Sequence, residues 1–137
     1  MKLHDRLGAF IALGQELRNL KQEDLDNISD QALIENAWFT ADSVSLAFHG
    51  ICAMLEETPL RSWVMEYNLE PPAARTVGVA MAGNIPMVGF HDLLSVLISG
   101  HHLKFKPSSK DSVLLKFIHQ KLLKIDSRFE QLAPVKT

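Results

Sequence analysis

The stretch from Thr76 to Ser109, TVGVAMAGNIPMVGFHDLLSVLISGHHLKFKPSS, constrains the fold more than any other. It opens with a short Val-rich apolar run, Thr76 to Ala82, stopped by Gly83-Asn84. A longer apolar segment then starts at Pro86 and ends at Ser99-Gly100, and a second short run, Leu103 to Lys106, is stopped by Pro107. Strand, helix and strand at this spacing predict a βαβ crossover, the unit of parallel sheets. The middle helix is apolar on most sides and is expected to be sandwiched within an α/β layer.

The flanking sequence reads as helices. Leu3, Leu7, Phe10, Ile11, Leu13, Leu17 and Leu20 recur at helical spacing over residues 2 to 21, with polar Gln15, Glu16 and Arg18 between them. Lys21 to Asp30 reads as a polar connection, with Ser29 or Asp30 capping a short helix that holds Leu33, Ile34, Ala37 and Trp38. Thr40 is placed to cap a helix with Val44, Ala47, Phe48, Ile51, Cys52 and Leu55 on its inner face. Thr58-Pro59 predicts a further start, and Leu60, Trp63, Val64 and Tyr67 belong to that helix. Trp38, Phe39, Phe48 and Trp63 sit at core spacings. Pro71 to Arg75 is an extended connector into the first strand. Ser108 and Asp111 take capping-box-like positions before a helix with Val113, Leu114, Phe117, Ile118, Leu122 and Ile125 as its buried stripe. Lys121, Lys124 and Arg128 lie toward its end, and Gln131 to Thr137 reads as a short mobile tail.

The expected fold class is therefore α/β. A helical segment, residues 1–70, precedes a β-α-β-α unit of a parallel sheet, residues 71–137. Two parallel strands alone make no stable sheet. The expectation is that the chain is the leading part of a longer polypeptide.

Composition removes several function classes. At 137 residues, with 22% charged residues and a formal net charge of −2, neither nucleic acid nor an anionic membrane is an expected partner. The amphipathic N-terminus lacks the apolar core of a signal peptide, and residues 85–98 are too short and polar to span a membrane. A single cysteine, Cys52, excludes an internal disulfide and a multi-cysteine zinc site, so a cytoplasmic setting is expected. Cys52 lies on an apolar stripe and reads as a small buried hydrophobe.

The candidate site is the carboxyl edge of the two strands. Gly83, Asn84, Ile85 and Pro86 stand where the first strand gives way to a helix, where backbone N–H groups and the Asn84 amide can meet an anion or a carbonyl oxygen. The same residues also suit an ordinary turn with proline opening the helix. Lys106 ends the second strand, and Ser108 and Ser109 follow. A lysine with hydroxyls there suits a ribose or phosphate, and equally a solvated lysine beside a capping serine. Gly78, Gly83 and Gly89 lack the G-x-G-x-x-G spacing. His101-His102 is a weak metal signal, and His91-Asp92 reads as a buried or helix-packing hydrogen-bonded pair.

The run from Val77 to Asp111, together with AWFTADSV (37–44) and SWVMEYNLEPP (62–72), resembles bacterial acyl-CoA reductases of the luminescence (Lux) fatty-acid-reductase type, within the aldehyde dehydrogenase superfamily. The resemblance implies reduction of a fatty acyl-CoA or acyl-protein substrate to the aldehyde by NADPH, with NADH as the alternative, through a cysteine thioester. It implies Asn84 as the oxyanion donor, Lys106 as the ribose contact, and Ser109 in place of a glutamate that would repel a 2′-phosphate. It also implies that residues 71–137 are the start of a Rossmann-like nucleotide-binding domain, the incomplete cofactor domain of the aldehyde dehydrogenase fold. It further implies homo-oligomers and a catalytic cysteine downstream of this chain, which alone would be inactive. The alternative is a non-catalytic nucleotide- or protein-binding α/β module.

Overall fold

The computed structural model describes residues 1–71 and 73–135, so Pro72 of the expected connector and the last two residues of the expected tail lie outside the described residues. Four helices lead the chain: α1 (Leu3–Arg18), α2 (Gln22–Glu35), α3 (Ala41–Met54) and α4 (Glu57–Met65). Strand β1 (Thr76–Ala80), helix α5 (Phe90–Ile98) and strand β2 (His102–Lys106) follow, then α6 (Ser112–Ile125) and the short α7 (Phe129–Leu132). The fold is mixed α/β with a small parallel sheet, as the apolar runs predict.

β1 and β2 pair in parallel, from Thr76 opposite His102 to Ala80 opposite Lys106. The Arg75 carbonyl accepts from His102 N–H at 2.8 Å, and Met81 N–H donates to the Lys106 carbonyl at 3.0 Å. Because backbone groups alternate in direction along a strand, the N–H and C=O groups of Thr76, Gly78 and Ala80 point away from β2. Among the described residues no strand pairs with that edge. The far edge of β2 is occupied differently. Phe105, already opposite Val79, also makes a parallel bridge to Val135. The chain thus returns beside β2 after α6 and α7, the path of a second crossover.

α1 forms the centre of the helical layer and packs on α3, α4, α5 and α6. Its buried residues include Leu7, Phe10, Ile11, Leu13 and Leu17, much as the period requires. Phe10 meets Phe129 edge to face at 5.9 Å between centroids, joining α1 to α7. Arg6 is buried in the same layer, and its guanidinium donates to the carbonyls of Met1, Leu69 and Ile98. It thereby satisfies the C-terminal end of α5 with a cation, where the helix dipole favours one. Gly100 turns there with φ +88, and a β-carbon would press on Pro71 and the Arg6 guanidinium.

Several expectations need correction. Lys21–Asp30 is not a connection: residues 22–35 form α2, whose buried residues are only Ile28, Ser29 and Ala32. So narrow a stripe, set among polar residues, does not look amphipathic in sequence. Ser29 is inside α2 rather than at a cap, and Ala37 and Trp38 lie beyond its end. Ile34 and Trp38 are 87% and 88% exposed, and Trp63 also reaches solvent, whereas Phe39 and Phe48 are core. Thr40 does cap α3, its Oγ1 accepting from Ser43 N–H at 3.2 Å, an interaction worth about 1 kcal/mol.

α4 begins two residues before Pro59, because a proline anywhere in the first turn lacks only an amide the helix would leave unpaired. α5 is not sandwiched: Phe90, Leu93, Leu94, Leu97 and Ile98 are buried, while His91, Asp92 and Ser95 face solvent. Within the expected mobile tail, Ala133 and Val135 are anchored instead. Ala133 is fully buried, and its carbonyl accepts from His119 Nε2 at 2.7 Å. Among the described residues no helix is long and apolar enough to cross a membrane.

Candidate functional site

At the carboxyl end of the strand pair the two predicted loops meet. Gly83, in the β1–α5 loop, lies directly on Ser108 of the β2–α6 loop, where a β-carbon would overlap both Ser108 side-chain atoms. Ser108 Oγ accepts from Lys110 N–H at 3.1 Å, which folds its own loop over. Asn84, Ile85, Lys106 and Ser109 are exposed, Ser108 is half-buried and Pro86 is buried. The Asn84 amide makes no hydrogen bond among the described residues. The structure therefore brings Gly83 and Ser108 into contact and leaves Asn84, Lys106 and Ser109 open to solvent along the same edge.

The approach to α5 is more contorted than a proline-opened helix. Residues 86–89 are turns, with Val88 N–H donating to Ile85 O at 3.2 Å and Phe90 N–H to Met87 O at 3.0 Å. Met87 has φ 60, the left-handed region that a non-glycine residue enters at a cost of about 1–2 kcal/mol. Two features offset that cost. The Met87 side chain is buried in the core, and its N–H donates to Asp111 Oδ2 at 2.7 Å. Helix α5 proper starts only at Phe90.

The N-terminus of α6 is closed by other residues than expected. Asp111 occupies the cap position, yet its carboxyl does not cap its own helix. Glu35, the last residue of α2, takes that role: Oε1 accepts from Ser112 N–H at 2.6 Å and Val113 N–H at 3.1 Å, and Oε2 accepts from the Ser112 hydroxyl. Asn36 adds a bond from Nδ2 to the Lys110 carbonyl at 3.2 Å. Burial pushes the Asp111 carboxyl up to about 7; the Met87 amide opposes this and the Glu35 charge adds to it. Asp111 Oδ1 is buried and has no hydrogen-bond partner among the described residues.

Sequence reasoning located both loops but missed Glu35 and Asn36, and gave Asp111 a capping role it does not play. Glu35 carries no local signal, because its partners lie 77 and 78 residues away.

His91 is exposed, not part of a buried pair, and its Nδ1 donates to the Val88 carbonyl at 3.2 Å. His101 Nδ1 accepts from Arg75 N–H at 3.1 Å and so positions the entry to β1. No group of three His, Cys, Asp or Glu side chains among the described residues is placed to hold a metal. Cys52 lines a groove of about 610 Å³ between α1, α2 and α3. Burial pushes its thiol up, and nearby Arg18, which donates to the Cys52 carbonyl at 3.0 Å, only partly offsets this. That is the reverse of an activated nucleophile. Compared with family models, curated proteins and solved structures, the chain matches none.

Proposed function

We propose that this chain is the N-terminal part of an NAD(P)H-dependent acyl-CoA reductase, which converts a fatty acyl-CoA to the aldehyde through a cysteine outside this chain. The observation that carries the reading is the meeting of Gly83 and Ser108 at the carboxyl end of two parallel strands, with Lys106 and Asn84 exposed beside them. Crevices at that end of open α/β sheets are where nucleotides bind. In this reading β1, α5, β2 and α6 are the first elements of a Rossmann-like domain, and Val135 begins its next strand.

The residues present fit the ribose side of the cofactor better than its phosphates. Exposed Lys106 and Ser109 can donate to ribose hydroxyls, and Lys106 suits a 2′-phosphate by charge. The N-terminus of α6 does not suit a phosphate, because Glu35 already fills it. When bound, a reduced nicotinamide supplies the hydride. Asn84, its amide free of other partners among the described residues, donates to the acyl oxygen as negative charge grows there.

Titration of the product of the whole reading frame with NADPH tests the cofactor half of the reading. Lys106→Ala is expected to weaken binding about tenfold, the loss of one charge-assisted contact, and unchanged affinity would remove Lys106 from the site. In the product of the whole reading frame, Asn84→Ala is expected to lower turnover about a hundredfold in NADPH-dependent aldehyde formation with little change in cofactor affinity.

A second reading, a non-catalytic module that binds a protein partner, is favoured by the edge of β1, which no strand pairs with among the described residues, and by the exposure of Ile34, Trp38 and Met65. A native complex that binds no NADPH would select it.

A further inference from the structure

Asp111 joins the two loops of the candidate site in a way that neither loop's own turn chemistry requires. It is 1% exposed, and its Oδ2 holds the Met87 N–H across 24 residues of sequence. Met87 is the left-handed residue on which the β1–α5 loop reverses, three positions after Asn84 and four after Gly83. The groups facing Asp111 can be named element by element. From α2 comes the Glu35 carboxylate, held on the Ser112 and Val113 amides. From the β1–α5 loop comes the Met87 backbone N–H. From its own loop come Lys110, whose side chain is exposed, and Ser108, whose carbonyl accepts from the Asp111 N–H at 3.0 Å. Lys106, at the end of β2, points to solvent. No cation among the described residues pairs with the carboxyl.

Ionisation strengthens the one bond from the Met87 amide, but the loss of hydration and the Glu35 charge outweigh it. This buried carboxyl is therefore tolerable when neutral and, when charged, is relieved only if the loop opens to water. We propose that Asp111 is a proton-operated latch on the β1–α5 loop: its neutral carboxyl holds Met87, and with it Gly83 and Asn84, in place, and its ionisation releases the loop. The upward shift of this carboxyl to about 7 puts the transition near neutral pH. Resting on the nucleotide-binding reading, the latch makes NADPH binding tighter on the acid side of neutrality than on the alkaline side. Its mechanical part stands on the geometry alone.

The test follows the backbone amide resonances of residues 83–89, excepting Pro86, from pH 5 to 9. The expected result is one shared titration centred near pH 7 in the wild type, absent in Asp111→Asn, whose loop amides keep their acid-side positions at every pH. Glu35→Gln removes a charge that opposes ionisation, so its midpoint moves to lower pH. It also carries the test should Asp111→Asn fail to fold. Loop amides that do not titrate in the wild type overturn the latch, as does a titration that persists in Asp111→Asn or a midpoint that Glu35→Gln leaves in place. NADPH affinity measured at pH 6 and pH 8 separates the two claims. A loss of up to about tenfold at pH 8 in the wild type, and none in Asp111→Asn, supports the regulation. A loop that titrates in a protein binding NADPH at neither pH leaves the latch standing and removes the cofactor.

Discussion

Helices α5 and α6 both leave the carboxyl edge of the same strand pair, yet their N-termini are finished in opposite ways. α6 starts abruptly after Asp111, and an acid from another helix, Glu35, satisfies its first amides. α5 starts late, after a series of turns and a left-handed Met87, with one amide in that approach given to Asp111. One end is thus neutralised from within the protein, and the other is set back behind a loop that exposes Asn84. Helix N-termini attract anions because their amides are unpaired. Once Glu35 is bound there, α6 has lost that property. Any ligand at this edge is left with Lys106, Ser109 and the β1–α5 loop.

The sharpest way to break this contrast is to remove the foreign cap. Glu35→Ala leaves two partly buried backbone N–H groups and the Ser112 hydroxyl without their acceptor. A cost of about 2–3 kcal/mol is expected, more than an ordinary cap substitution, because α2 and α6 also lose their link. Urea unfolding measures it. A cost below about 0.5 kcal/mol would mean that water replaces Glu35 freely and that α6 is as open to anions as any exposed helix end.

A smaller effect comes from Asp111, on the other side of the contrast. Its carboxyl is raised from the usual carboxylate range to about 7 in the folded chain, so between those values the folded state holds a proton that the unfolded state has released. The contribution of this group to stability therefore falls as pH rises through that window and is level above it. The thermal midpoint of Asp111→Asn is expected to gain on the wild type by about 5 °C or more between pH 4 and pH 8. A constant difference between the two proteins would show that the carboxyl reaches water.

These two acids also mark how far the sequence could be read. The βαβ stretch was legible because Gly83-Asn84, Ser99-Gly100 and Pro107 punctuate it and the period of its apolar residues changes between the stops. The stripe of α1 was legible for the same reason. α2 was not, since a helix that buries only Ile28, Ser29 and Ala32 has a polar sequence, and apolar Ile34 near its end and Trp38 beyond it are surface. The anchoring of Ala133 and Val135 depends on His119 and Phe105, which no local pattern announces. In the candidate site the two loops could be placed from turn residues. The link between them could not, because Glu35 to Ser112 and Met87 to Asp111 are contacts between segments distant in sequence.

Two glycines on this strand-and-loop path give the finest comparison. Gly78, within β1, has open space where a β-carbon would go, whereas Gly83 would drive one into Ser108. Gly78→Ala is expected to change stability by no more than about 0.5 kcal/mol, and in the favourable direction, since alanine loses less backbone freedom on folding. Gly83→Ala should cost about 1–2 kcal/mol, as the Ser108 loop is pushed away from it. Pairing Gly83→Ala with Ser108→Gly removes the obstructing side chain, so most of that cost should be recovered despite the second substitution. Chemical denaturation of the three variants measures this directly. If the double variant is no more stable than Gly83→Ala, the two loops do not touch through Ser108, and the edge that Asn84 and Lys106 share is two separate surfaces.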